Sequence, residues 1–93
     1  MNKITIRVRI TGRVQGVCYR IWTVEYATSL GLSGWVRNRI DGSVEAIFYG
    51  NQKKIDEMIK ALYRGPSAAL VIFMTFDYEK IHVETGFKKI PTL

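Results

Sequence analysis

Cysteine and histidine are almost missing from this chain: Cys18 and His82 are the single instances among 93 residues. One cysteine excludes an intrachain disulfide, and with a lone histidine beside it no zinc-type ligand cluster can be assembled, so a metal-free chain without cofactors is expected. A reducing, cytoplasmic setting suits that composition. Long apolar runs are also missing. MNKITIRVRI alternates polar and apolar residues, whereas a secretory leader needs a continuous apolar core and a membrane span about 20 apolar residues, so neither is expected. Repeats, linkers and low-complexity tracts are lacking too, and the length suits a single domain spanning residues 1–93. Acidic residues are in deficit, eight against fourteen basic ones, for a formal net charge of +6. Such a balance favours anionic partners. Basic residues adjoin only at Lys53-Lys54 and Lys88-Lys89, which reads first as a solvated surface rather than a dedicated polyanion track.

What is present is a legible order of elements. Ile4, Ile6, Val8 and Ile10 alternate with Thr5, Arg7, Arg9 and Thr11, the pattern of a half-buried strand ending at Thr11. Ile21, Val24 and Ala27, with Leu30 nearby, predict a helix over residues 18–30 that ends at Gly31. Strands follow over 34–40 and 43–49, joined by Asp41-Gly42, a dipeptide suited to a tight hairpin turn. Asn51 can cap a second helix whose stripe is Ile55, Met58 or Ile59, and Leu62, until Gly65-Pro66 stops it. Residues 68–76 form a largely apolar strand, and 81–90 hold at most a short edge strand around Phe87. The order βαββαβ is an α+β, ferredoxin-like sandwich, with two helices on one face of an antiparallel sheet. That fold hosts many functions, so it does not choose the chemistry.

The chemistry concentrates in GRVQGVCYR, residues 12–20. A strand that runs into a helix through a short glycine-containing loop brings unpaired backbone N–H groups together, and such a point attracts anions. Gly12 and Gly16 permit positive φ and close backbone approach, as a nest of amides around phosphate requires. Arg20, in the first helical turn, offers a fork of donors matched to two phosphoryl oxygens. The loop is neither a Walker motif nor a dinucleotide fingerprint, because it lacks Gly-Lys-Ser/Thr and the GxGxxG spacing. On composition alone a plain strand-to-helix turn with a solvated arginine stays open beside the phosphate cradle.

GRVQGVCYR resembles the acylphosphatase signature G-x-V-Q-G-V-x-F-R, and GWVRNRIDGSVE, residues 34–45, resembles that family's second signature. Leu30-Gly31-Leu32 and the stretch from Gly65 to Val71 extend the likeness over residues 8 to about 71. The resemblance implies the same ferredoxin-like fold and hydrolysis of acyl phosphates to carboxylate and inorganic phosphate. It implies that Arg20 binds phosphate together with the amides of Gln15, Gly16, Val17, Cys18, Tyr19 and Arg20, and that Asn38 orients the attacking water. Tyr19 replaces the family's usual phenylalanine, so its hydroxyl needs a partner. Lys89 stands where an apolar residue is usual, which leaves the register of the last strand open.

Two residues suffice for such chemistry. The leaving carboxylate has a conjugate acid of pKa about 4, against roughly 15 for an oxygen as basic as hydroxide, so it departs unprotonated and no general acid is needed. Parity along the second strand puts Asn38 with Val36 and Ile40 on the helix side, and Arg37 and Arg39 on the other. Cys18 is a poor candidate nucleophile, since thiol phosphatases place their arginine further downstream than the two positions separating Cys18 from Arg20. His82 reads as a bystander, Asp41 as a turn residue, and Trp22, Trp35, Tyr26 and Phe48 as packing aromatics. Two other classes compete. An RNA-recognition module shares the topology, but SVEAIFYG at 43–50 lacks its aromatic signature and carries Glu45 instead. A phosphate sensor would use the cradle without turnover. The expectation is a monomer acting on a small acyl phosphate, with no nucleic acid and no membrane partner.

Overall fold

The structure, a computed structural model, describes residues 2–93. Five strands and two helices follow in the order β1 (Lys3–Arg13), α1 (Tyr19–Ser29), β2 (Ser33–Asn38), β3 (Val44–Asn51), α2 (Gln52–Arg64), β4 (Leu70–Tyr78) and β5 (Phe87–Lys89). The sheet runs β4-β1-β3-β2-β5. β1 pairs antiparallel with β3 and β4, and β2 antiparallel with β3, as the ferredoxin-like order requires. β5 adds an edge that the order βαββαβ does not contain. It pairs parallel to β2, with Gly34 opposite Phe87, Trp35 opposite Lys88 and Val36 opposite Lys89, so the complete sheet is mixed. Among the described residues no helix is long and apolar enough to cross a membrane.

Alternation in the strands decides the two faces. Ile6, Val8 and Ile10 of β1, Val36 of β2, and Val44, Ala46 and Phe48 of β3 are buried on the helix side, against Tyr19 and Ala27 of α1 and Ile55, Met58 and Leu62 of α2. Full burial of an aliphatic or aromatic side chain contributes about 1.5–3 kcal/mol, so this single cluster supplies the main driving force. Met58, not Ile59, is the fully buried member of the α2 stripe. Asn51 caps α2 by accepting from the Lys53 amide at 2.8 Å, and Gly65 ends it with φ 63°.

The expected stripe of α1 is partly corrected. Tyr19, Thr23 and Ala27 form the buried row, whereas Ile21 is 55% exposed. Apolar residues surround most of this helix, with Trp22, Val24, Tyr26 and Leu30 partly buried as well, so spacing alone did not choose the face. β1 also runs past its expected end at Thr11 to Arg13. The pairing of β1 with β4 shifts between Thr11 and Gly12, and a Cβ on Gly12 would lie 2.2 Å from the Leu70 carbonyl oxygen. Gly12 therefore serves a close strand contact rather than the loop.

On the opposite face the odd positions gather charge. Glu45, only 3% exposed, sits among Arg37 Nε at 2.8 Å, Arg39 Nη1 at 3.2 Å, Arg7 Nη1 at 2.5 Å and Arg9 Nη2 at 4.0 Å. Arg37 also lies over the Trp35 ring, 4.8 Å from its centroid. Burial disfavours the Glu45 carboxylate, but the bonds from Arg37 and Arg7 more than offset it and hold its pKa below the ordinary value.

Candidate active site

The loop between β1 and α1 is set by its backbone. Gly16 has φ 74° and Cys18 has φ 65°, the single non-glycine residue with positive φ among those described. Cys18 occupies the N-cap position of α1 yet supplies no side-chain cap, and no acidic residue follows in the first turn. The Trp22 amide makes the first helical bond, to the Cys18 carbonyl at 3.0 Å, so the amides of residues 19–21 precede the ladder. An uncapped N-terminus keeps both its orphan donors and its partial positive charge for something outside the helix.

Tyr19 locks this turn to the rest of the fold. Its ring is 1% exposed, and its hydroxyl donates to the Leu62 carbonyl, one of the last-turn acceptors of α2 that have no helical partner. The hydroxyl that the sequence left in need of a partner thus joins the two helices, and burial raises the phenol pKa well above its ordinary value. Gln15 makes a second tie. Its side-chain Nε2 donates to the carbonyls of Arg39 at 2.7 Å and Ser43 at 2.9 Å, fastening the loop to the β2-β3 hairpin. That hairpin is closed by Asp41, whose Oδ1 accepts from the Ser43 amide at 2.9 Å and the Ser43 hydroxyl at 2.6 Å. The turn role expected of Asp41 is the one observed.

A cleft of about 90 Å³ opens where the loop, α1, β2 and β5 meet, lined by Val14, Gly16, Cys18, Tyr19, Arg20, Ile21, Asn38 and Lys89. Its size suits a small head group rather than a nucleotide, since pockets for drug-sized ligands start near 300 Å³. Of the residues expected at the site, Gly16, Cys18, Tyr19, Arg20 and Asn38 line this cleft, and Gln15 and Val17 do not. Gln15 is engaged with the hairpin, and Val17 packs against the core.

Asn38 is the last residue of β2 and shares a face with buried Val36, while Arg37 turns to Glu45 on the other side. The parity holds only that far, because Ile40 lies beyond the strand and is 88% exposed. The Asn38 Oδ1 atom is buried without any hydrogen-bond partner among the described residues. Buried polar atoms are nearly always paired, so an acceptor left free in the cleft that Arg20 also lines is open to a donor. Arg20 likewise makes no side-chain hydrogen bond or ion pair among the described residues, in contrast to the arginines around Glu45. What the sequence did not reveal is the presence of Val14, Ile21 and Lys89. The departure of Lys89 from the family pattern was visible, but its direction awaited the register of β5.

Known proteins share the sequence pattern and the fold of this chain. The acylphosphatase family model matches residues 6–89. An acylphosphatase of Rhodospirillum rubrum is 47% identical over 89 residues, covering 96% of this chain and 98% of the relative. Among solved structures, an acylphosphatase from Coxiella burnetii superposes with a TM-score of 0.91 at 30% identity, covering 96% of this chain and 94% of that one. One from Bacillus subtilis gives 0.90 at 27% identity, over 94% and 98%. With two signatures folded into one cleft and relatives that match from end to end, this chain belongs to the acylphosphatase family.

Proposed function

We propose that this chain is an acylphosphatase that cleaves the carboxyl–phosphate anhydride of small acyl phosphates by direct attack of water on phosphorus. Arg20 and the loop amides of Gly16, Cys18, Tyr19 and Arg20 hold the phosphoryl group, and Asn38 Oδ1 accepts from the attacking water and aims it in line with the leaving carboxylate. The P–O bond to the acyl group breaks as the bond to water forms. The carboxylate departs unprotonated, and the water's protons go to the phosphate product and solvent.

The observation that carries this reading is the unpaired Asn38 Oδ1 in the cleft that Arg20 also lines. A fixed array of donors needs no reorganisation as charge shifts in a loose phosphoryl transition state, and removing one such donor typically costs about 10²–10³ in rate. Positioning of the water supplies the rest. No part of this chemistry calls for a metal or a phosphoenzyme, and simple phosphate esters, whose alkoxides must be protonated to leave, are poor substrates. The open sheet face, where an RNA-recognition domain stacks bases, is here taken up by Glu45 and its arginines, which supports a small-molecule substrate over RNA. The single cysteine supports a cytoplasmic setting.

Benzoyl phosphate, ATP and a simple phosphate ester, assayed side by side with a chelator present, test the proposal. Hydrolysis of the first alone is expected. Arg20→Gln should lose both that activity and inhibition by inorganic phosphate. Turnover that survives in Arg20→Gln, or that the chelator abolishes, would contradict it.

A further inference from the structure

Phosphate binding by Arg20 leaves one side chain of the cleft without a role. Lys89 lines it from β5, on the far side of β2 from the cradle loop. Its direction is a consequence of register. Phe87 lies opposite Gly34 and stacks on Phe48 with ring centroids 5.2 Å apart, which fixes the strand against the helix-side core. Lys88, opposite Trp35, then faces away from the core and approaches Glu84 at 3.6 Å. Lys89, opposite Val36, takes the helix side, the side of Asn38. It makes no ion pair among the described residues, and no acidic side chain lines the cleft. Two cations therefore border a cleft of about 90 Å³ that has no counter-ion of its own. So small a space suits one anionic head.

We infer that Lys89 is a second cationic anchor for the phosphoryl group, one that the family pattern, with an apolar residue at this position, does not supply. The inference rests on the reading of the cleft as the phosphoryl site. As a strongly hydrated point charge, lysine attracts the group without dictating its orientation, which stays with Arg20 and the amides. The phosphoryl charge is present in substrate, transition state and product, so Lys89 tightens all three nearly alike. It lowers KM and the inhibition constant of phosphate together, and it leaves kcat unchanged.

Steady-state hydrolysis of benzoyl phosphate, with inorganic phosphate as competitor, is to be measured for the wild type, Lys89→Met and Lys89→Arg at two ionic strengths. In Lys89→Met, KM and the phosphate inhibition constant should both rise roughly two- to five-fold, the range of an exposed charge pair, with kcat unchanged and less dependence on salt. Lys89→Arg should restore most of the difference, and unchanged thermal unfolding would exclude a general effect on the fold. Turnover and phosphate competition in the wild type report on the family reaction itself. With those intact, an unchanged inhibition constant in Lys89→Met overturns the role of Lys89 alone. So does a loss confined to acyl phosphates that carry a second carboxylate, since that would put the ammonium on the acyl tail. A wild type without turnover or competition removes both readings.

Discussion

Replacing Asn38 by alanine should abolish turnover while leaving the fold as stable as before, or slightly more so. Asn38 Oδ1 is buried and unpaired among the described residues, and an unsatisfied buried acceptor costs about 1–3 kcal/mol of desolvation. Truncation to alanine relieves that cost. Against it stands the loss of the amide's packing at the mouth of an open cleft, about 1 kcal/mol by the usual scale of point mutants. The sum lies between no change and a gain of roughly 2 kcal/mol, and each 1 kcal/mol corresponds to about 4–8 °C in Tm for a domain of this size. Turnover should meanwhile fall by at least about 10², because the water is no longer held in line. Thermal and urea unfolding, beside benzoyl phosphate hydrolysis and phosphate inhibition, measure all three quantities. Asn38→Ala should keep its phosphate affinity, which separates it from Arg20→Gln. A destabilisation above about 2 kcal/mol would make Asn38 a structural residue, and activity within tenfold of wild type would remove it from the mechanism.

Three further outcomes follow from the same geometry. Tyr19→Phe removes the donor to the Leu62 carbonyl, so unfolding in urea should show a loss of about 1 kcal/mol, with kcat/KM unchanged. Cys18→Gly relieves a left-handed residue by about 1 kcal/mol but adds a similar chain-entropy cost, so stability should barely move. Activity should persist in that variant, and its loss would give the thiol a chemical part. Glu45 has a folded pKa below its unfolded value, so its stabilisation is present above the unfolded value of about 4.3 and is lost as pH falls through the folded one. Glu45→Gln should therefore be clearly less stable than wild type at neutral pH, with the gap shrinking below about pH 4 in urea titrations at each pH. A gap that widens in acid would reverse the sign assigned to Glu45.

The local patterns were legible wherever one face of an element is uniform. β1 alternates, Val44, Ala46 and Phe48 share one face of β3, Asn51 and Gly65 bound α2, and Asp41-Gly42 makes its turn, so the ferredoxin-like core followed from spacing and turn chemistry. α1 was less legible because apolar residues encircle it, and burial there went to Tyr19, Thr23 and Ala27 rather than to the row of Ile21. Gly12, read as part of the cradle, proved to be a strand residue whose neighbour across the bulge leaves no room for a Cβ. The apolar run of β4 gives no hint of an edge position, yet Leu70, Ile72 and Phe73 are exposed there.

At the site the division is the same. Two contiguous motifs determined which residues carry charge and carboxamide, and strand parity determined that Asn38 and Arg37 part ways, because both depend on neighbours along the chain. That Asn38 Oδ1 is left without a partner, that Gln15 pins the loop to the hairpin, and that Lys89 rather than Lys88 reaches the cleft were decided only in three dimensions. Each depends on which segments distant in sequence come to lie side by side, and in β5 on a register set by one phenylalanine seated opposite a glycine.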